Sequence, residues 1–387
     1  MVTLFDVARL AGVSTATVSR VVHGQDRVRE ATRIRVQQAI EELGYVPDGA
    51  AQSLSRRRKD VIGLVCVERH EQQYDIENMN LLFYDEVLRG VESRIRNHDW
   101  SLLITFLQGA HDPSYARIES FTGKVDGILI GEGIVPSPFI ERLATRLPVV
   151  IFAGTPHEQA VDVVTADNLS GSAAVVTHLI REHGRRRLYW VHGPADSPDS
   201  RERRLGLDYV LHANPQSELT GFYQGFYSVQ SGEEAGEALL ARPRRELPDA
   251  VVSANDQMAI GVVKALSRAG VRVPEDVAVV GFDDIFPGSL CDPPLTTVHQ
   301  PMRMLGERSC ARLLERIANP GLRPATELLP TELVLRSSCG CPPGTVVREP
   351  VPTLKVPRSE LTAAAPSHSP RPSPQPGRRP ARQAAKA

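Results

Sequence analysis

Apolar residues keep one spacing over the first sixty positions of this chain and another after them, and the change divides it. Val7 and Ala8, then Val18 and Val21, recur at intervals that put each set on a single helical face. They predict one helix from Leu4 to Leu10 and a second from Ser14 to about Val22. Between them Ala11-Gly12-Val13 reads as a tight turn, since glycine takes positive φ without steric cost. Ser14 offers its side-chain oxygen as an N-cap for the second helix. Val36, Ile40 and Leu43, with Ala39 beside them, make a third stripe and predict a helix from about Glu30 to Leu43. Gly44 ends it, and Pro47 bars its continuation.

From Val61 onward, short apolar runs alternate with amphipathic stretches. Val61 to Val67, Trp100 to Phe106, Val125 to Ile130 and Pro148 to Phe152 read as buried strands. Helices are predicted from Asp85 to Asn97 and around Phe139 to Leu147. A second set follows: a strand from Val161 to Ala166, then helix Gly171 to His183, strand Arg187 to Val191, helix Glu202 to His212 and strand Gly221 to Tyr227. It continues with helix Gly232 to Ala241, strand Ala250 to Ala254, helix Gln257 to Ala269 and strand Val277 to Phe282. Such alternation predicts an α/β fold with parallel sheets covered on both faces, and its repetition predicts two doubly wound lobes. A ligand then lies at the carboxyl ends of the strands, in the cleft between lobes. Periodicity fades after Val356, and Pro, Ala, Ser and Arg dominate from Pro342, so the chain from 341 to 387 is expected to be a disordered basic tail. It carries no leucine heptad on which a coiled coil could form.

The outward face of the second predicted helix carries Thr15, Ala16, Ser19 and Arg20. Short side chains there permit close approach to a major groove, and an arginine can fork onto guanine O6 and N7. Charge distribution agrees. Residues 1–60 hold ten Lys/Arg against seven Asp/Glu and residues 342–387 eight against two, although the whole chain has a net charge of −1. A basic head on an acidic body brings the head to phosphates and keeps the body off them.

The residues Thr3-Leu4, Asp6-Val7-Ala8, Ala11-Gly12-Val13-Ser14 and Thr17-Val18-Ser19-Arg20-Val21-Val22 together resemble the N-terminus of the lactose/galactose-repressor family of bacterial transcription regulators. Further matches are Gly193-Pro-Ala-Asp-Ser197, Ala254-Asn-Asp-Gln-Met-Ala-Ile-Gly261, Val279-Val-Gly-Phe-Asp-Asp284 and Pro294-Leu-Thr-Thr-Val298. The resemblance implies a helix-turn-helix head over 1–47, a hinge helix over 48–59, and a two-lobed effector-binding and dimerisation body over 60–340 similar to a type I periplasmic sugar-binding protein. It implies operator contacts by Thr3, Ser14, Thr15, Ala16, Thr17, Ser19, Arg20, His23 and Ala51. Leu54 falls where the family places a leucine wedge between the central base pairs of the minor groove. Ala50, Ala51 and Leu54 share one side of a segment too short to stay helical alone in water. Two departures stand out. Arg29 occupies a position where the family often has a Ser or Thr cap. Leu81-Leu82-Phe83-Tyr84 replaces the family's Asn-Pro-aromatic-aromatic string before the first body helix, giving the cleft a greasier wall.

In the body, Asn255-Asp256, Asp283-Asp284 and Asp167-Asn168 follow predicted strands, and Arg203 lies in Ser200-Arg-Glu-Arg-Arg-Leu-Gly206. Carboxylates, amides and a guanidinium converging on a cleft suit the paired hydroxyls of a sugar. Phe83, Tyr84 and Tyr227 are the rings that could stack on its apolar face. On the resemblance Arg203, Asn255 and Asp283 are effector contacts. Bland alternatives exist for several of these. Asn255 and Asp167 could cap helices, as could Asp256 and Asp284; Arg203 could be a solvated helix charge, and Trp190 suits a core.

Other classes find less support. No apolar run approaches the ~20 residues of a membrane span, and Asp6 and Arg9 interrupt any signal-peptide core. Five scattered cysteines give no disulfide framework. Cys339-Gly-Cys341 is the one close pair, with no partner pair or histidine cluster to complete a metal site, so no metal and no cofactor are expected. No activated nucleophile or phosphate loop argues for an enzyme. The expectation is a cytoplasmic homodimeric repressor that binds double-stranded operator DNA and answers to a sugar or sugar derivative. Its rival is a periplasmic-type ligand-binding protein with no DNA role.

Overall fold

Three helices form at the N-terminus where the apolar stripes put them: α1 (Leu4–Ala11), α2 (Thr15–Val22) and α3 (Glu30–Leu43). In the computed structural model, which describes residues 2–22, 28–45, 58–67, 80–107, 115–131, 133, 135–155 and 161–355, they close on a small core of Val7, Ala8, Ala11, Val18, Val21, Val36 and Ala39. Gly12 and Gly44 end α1 and α3 at φ 63° and 59°, the left-handed conformation that glycine adopts freely. Arg29 gives α3 no side-chain cap. This head belongs to one compact unit, residues 1–61 with 124–126; the remainder forms a second. The predicted hinge lies outside the described residues over 48–57, as does the chain from 356 to 387.

The body alternates as expected: β1 (Val61–Val67), α4 (Asn80–Ile95), β2 (Ser101–Leu107), α5 (Tyr115–Thr122), β3 (Gly127–Gly131), α6 (Ser137–Ala144), β4 (Val149–Phe152) and β5 (Asp162–Ala166). Then come α7 (Asn168–Arg181), β6 (Arg187–His192), α8 (Pro198–Ala213), β7 (Glu218–Gln224), α9 (Val229–Leu240), β8 (Ala250–Ser253), α10 (Asp256–Arg268) and β9 (Ala278–Val280). Last are α11 (Phe286–Ser289), β10 (Thr297–His299), α12 (Met302–Ala318), β11 (Thr326–Leu329), β12 (Glu332–Leu335) and β13 (Val347–Pro350).

One sheet has the order β11-β5-β4-β3-β1-β2 and another β7-β6-β8-β9. Strand pairs β1/β3, β3/β4, β4/β5 and β5/β11 are parallel, as are β6/β7, β6/β8 and β8/β9. Each lobe thus winds outward in both directions from its first strand, and the winding reverses at β1/β3 and at β6/β8. Every residue of β3, β4, β5 and β8 is buried, which is why β3 and β4 read as unbroken apolar runs rather than alternating ones.

Elements after Phe282 escape the sequence pattern. α12 buries Met302, Leu305, Gly306, Ser309, Cys310 and Leu313, a stripe diluted by small residues. The dilution has a packing cause: a Cβ on Gly306 would overlap the backbone of Val87 in α4, and one on Gly90 would overlap that of Arg303. α5 escapes the pattern because, among its described side chains, only Ile118 and Phe121 are buried. The expected disorder from 341 is corrected by the structure. β13 pairs antiparallel with β12, Val334 opposite Arg348, Val351 is buried, and the Leu354 amide donates to Ser170 Oγ at 2.9 Å. Residues 341–355 are therefore ordered.

Candidate functional site

In the head, hydrogen bonds within the first turn fix the start of α1. The Thr3 amide and hydroxyl both donate to Asp6 Oδ2, at 3.0 and 2.7 Å, and Arg9 donates to Oδ1 at 2.7 Å. The bonds from Thr3 hold the Asp6 carboxyl below its ordinary range. Ser14 caps α2 as its sequence position predicts, accepting from the Thr17 amide at 3.2 Å with the Thr17 hydroxyl 2.9 Å away. Val18 and Val21 turn inward; Ala16 and Arg20 are exposed, and Thr15 and Ser19 half-buried on the other side. Helix 15–22 thus presents the small-and-basic face that its sequence predicts. His23, Ala51 and Leu54 lie outside the described residues.

The cleft of the body is lined from both sheets. Leu82, Phe83, Tyr84, Phe152 and Ala153 face Ser197, Asp199, Arg203, Tyr227, Asn255 and Asp283 across a space of about 840 Å³, its open mouth included. Phe83 and Tyr84 meet edge-on with ring centroids 5.3 Å apart. They stand in the first turns of α4, which begins five residues earlier than the apolar pattern predicts, rather than in a loop before it. All six residues expected to bind effector (Phe83, Tyr84, Arg203, Tyr227, Asn255 and Asp283) line this one cleft.

Arg203 is its organising group and no solvated charge, being 3% exposed. Its Nε donates to Asn168 Oδ1 at 2.8 Å, Nη1 to the Ala254 carbonyl at 2.6 Å and Nη2 to Gln300 Oε1 at 2.6 Å. Nη1 also lies 3.2 Å from Asp283 Oδ1, and the guanidinium stacks 3.8 Å from the Phe282 ring centroid. Burial and the neighbouring Asp199 push the Asp283 carboxyl up to about 7, against the pull of Arg203. Burial lifts the Tyr227 phenol to about 12, and its hydroxyl is 2.8 Å from Ser197 Oγ. Ala153, Tyr227 and Asp283, all cleft residues, hold φ of 54°, 61° and 120°, conformations that non-glycine residues adopt at a cost and that concentrate at functional sites.

The capping alternatives divide. Asn255 Oδ1 does cap α10 through the Met258 amide, at 3.1 Å, while the residue also lines the cleft. Asp167 caps α7 through the Ser170 amide at 3.1 Å. Asp256 and Asp284 cap nothing. Asp256 is buried and accepts from Thr297 Oγ1 and the Ile285 amide. Asp284 accepts from Arg336 at 2.6 Å, Arg348 at 2.5 Å and faces His299 at 3.2 Å. Trp190 is fully buried core.

Sequence reasoning missed Gln257 and Gln300, both in the lining. Gln300 Nε2 and Gln257 Oε1 are buried without hydrogen-bond partners, the kind of orphaned donor and acceptor that folded proteins rarely keep without a use. Gln257 lies within the Ala254–Gly261 string but reads there only as the start of a helix, and Gln300 sits in no pattern that could have flagged it. The expectation that Cys339-Gly-Cys341 has no histidines nearby is also corrected: His178 and His183 of the α7 terminus lie beside it.

Comparison with known proteins fits this geometry. Residues 3–48 match the model for bacterial regulatory proteins of the lacI family, and residues 176–339 that for a periplasmic binding protein-like domain. The ribose operon repressor of Escherichia coli (strain K12) is 35% identical over 327 residues, covering 84% of this chain and 95% of that one. Among solved structures, the Lac repressor dimer bound to operator and the anti-inducer ONPF superposes with a TM-score of 0.77 at 29% identity, over 87% of this chain and 99% of that one. The complex of the transcriptional regulator CelR with cellobiose gives 0.61 at 32%, over 87% and 100%. Helix-turn-helix head, two-lobed body and full-length likeness all point one way: the chain belongs to the lacI family of bacterial regulatory proteins.

Proposed function

We propose that this protein is a sequence-specific repressor that binds a double-stranded DNA operator as a homodimer and releases or grips it according to a sugar or sugar derivative bound between its lobes. The arrangement of Arg203 and Asp283 is the observation that carries the effector half. An arginine fixed by three partners pairs with a strained, partly buried carboxylate at the mouth of two sheets, with Phe83 and Tyr227 supplying aromatic surface. Carboxylate oxygens accept from vicinal hydroxyls, and Gln300 Nε2 and Gln257 Oε1 offer a further donor and acceptor. CelR, a relative, is known with cellobiose bound, which supports a carbohydrate as the ligand class. The head supports the DNA half, with Thr15, Ala16 and Arg20 as base-reading residues and Thr3, Ser14 and Thr17 placing the helix against phosphates.

The reading involves no chemistry on the effector. Its relatives are transcriptional regulators, and binding energy alone does the work. A sugar that prefers one lobe arrangement shifts the population of the state that grips DNA, by no more than its differential affinity for the two states. Operator DNA places this activity in the cytoplasm; among the described residues no helix is long and apolar enough to cross a membrane.

The test is titration of the full-length protein into labelled genomic fragments, with and without a panel of sugars and nucleosides. A near-palindromic footprint, symmetric because the dimer is, with affinity shifted by one sugar, is the expected result. A sugar that raises the melting temperature of a protein showing only sequence-independent DNA binding would favour the ligand-binding rival and sink the repressor.

A further inference from the structure

We propose that His178, His183, Cys339 and Cys341 form a closed tetrahedral site for one zinc ion, remote from the effector cleft. The four ligating atoms all lie within 4.8 Å of one another. His178 Nε2 is 3.6 Å from Cys339 Sγ and 3.4 Å from Cys341 Sγ; His183 Nε2 is 3.5 Å from Cys341 Sγ and 3.1 Å from His178 Nε2. A zinc ion bonded at ~2.3 Å to sulfur and ~2.0–2.1 Å to nitrogen requires S···N edges of about 3.6 Å and an N···N edge of about 3.3 Å in a tetrahedron. The four observed edges lie within about 0.2 Å of these, and Cys339 Sγ keeps its other two partners within the same 4.8 Å. Both cysteines are free thiols.

Local backbone explains how the donors converge. His178 sits in the last turn of α7, and His183 follows its end, just before Gly184 turns the chain at φ 64°. Cys339 closes the 3-10 turn Ser337–Cys339, and Gly340 at φ 118° reverses the chain so that Cys341 returns towards the same point. A Cβ on Gly340 would lie 3.0 Å from His183 Nδ1 and 3.3 Å from its Cγ. The knuckle between the cysteines is thus packed flat on a ligand ring, and only glycine fits it. The two imidazoles cross at 76° with centroids 4.9 Å apart, so both Nε2 atoms face one point without stacking. Thr296 Oγ1, 3.1 Å from Cys339 Sγ, is the sort of outer hydrogen bond that orients a thiolate ligand.

Donor chemistry selects the ion. Two thiolates and two imidazoles, with no carboxylate or carbonyl among them, suit zinc and exclude calcium and magnesium. Four protein ligands leave no position for water or substrate, so the role is structural. The ion would bolt the end of α7 to the chain beyond β12, joining residues that stand 156 to 163 apart in sequence. α7 starts with Asn168, the partner of Arg203, so this bolt holds the far end of the helix that frames the cleft.

The experiment uses the full-length protein, purified reduced and without chelator, and measures metal by inductively coupled plasma mass spectrometry. One zinc per chain is expected. Metal-stripped protein titrated with cobalt(II) should develop the intense d–d bands of a tetrahedral complex and a thiolate-to-cobalt charge-transfer band, saturating at one equivalent. Stripping should lower the melting temperature by several degrees, and zinc should restore it. Cys341→Ser and His183→Ala should lose the charge-transfer intensity or the tetrahedral bands, whereas Cys66→Ser and Cys291→Ser keep both. Folded, reduced wild type that leaves cobalt with the pale spectrum of the aquo ion overturns the proposal whatever the variants do. A cobalt spectrum unchanged in Cys341→Ser overturns it equally.

Discussion

Replacing Asp283 by asparagine keeps the shape of the side chain and removes its charge, which separates a ligand-binding role from a structural one. Burial and Asp199 raise the carboxyl from an ordinary 3.8 to about 7 in spite of Arg203. Between those two values the folded chain holds a proton that the unfolded chain has released. The stability this brings is fully present below the unfolded value and is lost as pH rises through the folded one. At 1.36 kcal/mol per pH unit the loss amounts to about 4 kcal/mol. Asparagine, neutral throughout and tolerant of positive φ, does not incur it. Urea unfolding at a series of pH values should therefore find the two proteins of similar stability near pH 4. Above pH 7 Asp283→Asn should be the more stable by up to about 4 kcal/mol. The same variant should lose effector affinity tenfold or more, since an ionised acceptor contributes ~1.5–3 kcal/mol to a hydrogen bond. Wild-type affinity for the sugar should itself strengthen as pH rises through 7. A variant less stable than wild type by the same amount at every pH would make Asp283 a mere counter-ion for Arg203 and refute this reasoning.

Arg20→Ala should cost ~1–3 kcal/mol at one symmetric base pair of each half-site; loss spread evenly over all sequences in a gel-shift series would make Arg20 a phosphate contact instead. Asp284→Asn should destabilise the body by ~3–5 kcal/mol in urea, because Arg336, only 7% exposed, would keep a buried charge without its carboxylate. Burial opposes it, but bonds to His299 and Arg336 hold the Asp284 carboxyl below its ordinary range, so its contribution is present above the unfolded pKa and fades as pH falls through the folded one. Gly193→Ala drives a methyl into the ring of Tyr227, and should weaken effector binding in calorimetry at a stability cost of ~1–3 kcal/mol, with operator binding in the absence of effector retained.

Local chemistry explains which features were legible in the sequence. The head was readable almost to the residue, because each of its helices is set by its own apolar stripe, with Ser14 capping α2 and glycines ending α1 and α3; α3 runs from Glu30 to Leu43 as its pattern predicts. Apart from α5, the lobes were readable as far as β9, because strands such as β3 and β4 are short unbroken apolar runs. Boundaries slipped where side-chain caps outrank apolar period. α7 begins at Asn168, three residues before the apolar run suggests, because the Asp167 carboxylate supplies the cap. α8 likewise starts at Pro198 because Ser197 accepts from the Ser200 amide. Among cleft residues, those at strand ends within recognisable strings were found. Gln257 and Gln300 were not, since a glutamine reports its role only through what it faces.

What no local pattern could give is pairing over long separations, and the C-terminal stretch is the clearest case. Read alone, Cys341 to Lys355 is rich in proline and poor in apolar residues, and its charge is positive, all of which argues for disorder. Yet β13 needs no apolar alternation of its own: its four residues are all exposed, and its order comes from backbone bonds to β12 and from Val351 entering the core. The same stretch brings Arg348 to Asp284. Cys339-Gly-Cys341 looks incomplete as a metal site because its other two donors are encoded 156 to 163 residues earlier, at the end of a helix whose sequence gives only ordinary amphipathic signals. The helix ends at Arg181, between those histidines, so they share no helical face, and the second meets the first from beyond the helix terminus. A metal pattern written half in a turn and half across a helix terminus has no fixed spacing to search for. It becomes visible only when β12 and α7 are packed side by side, and the zinc measurement is accordingly a test of that packing as much as of the donors.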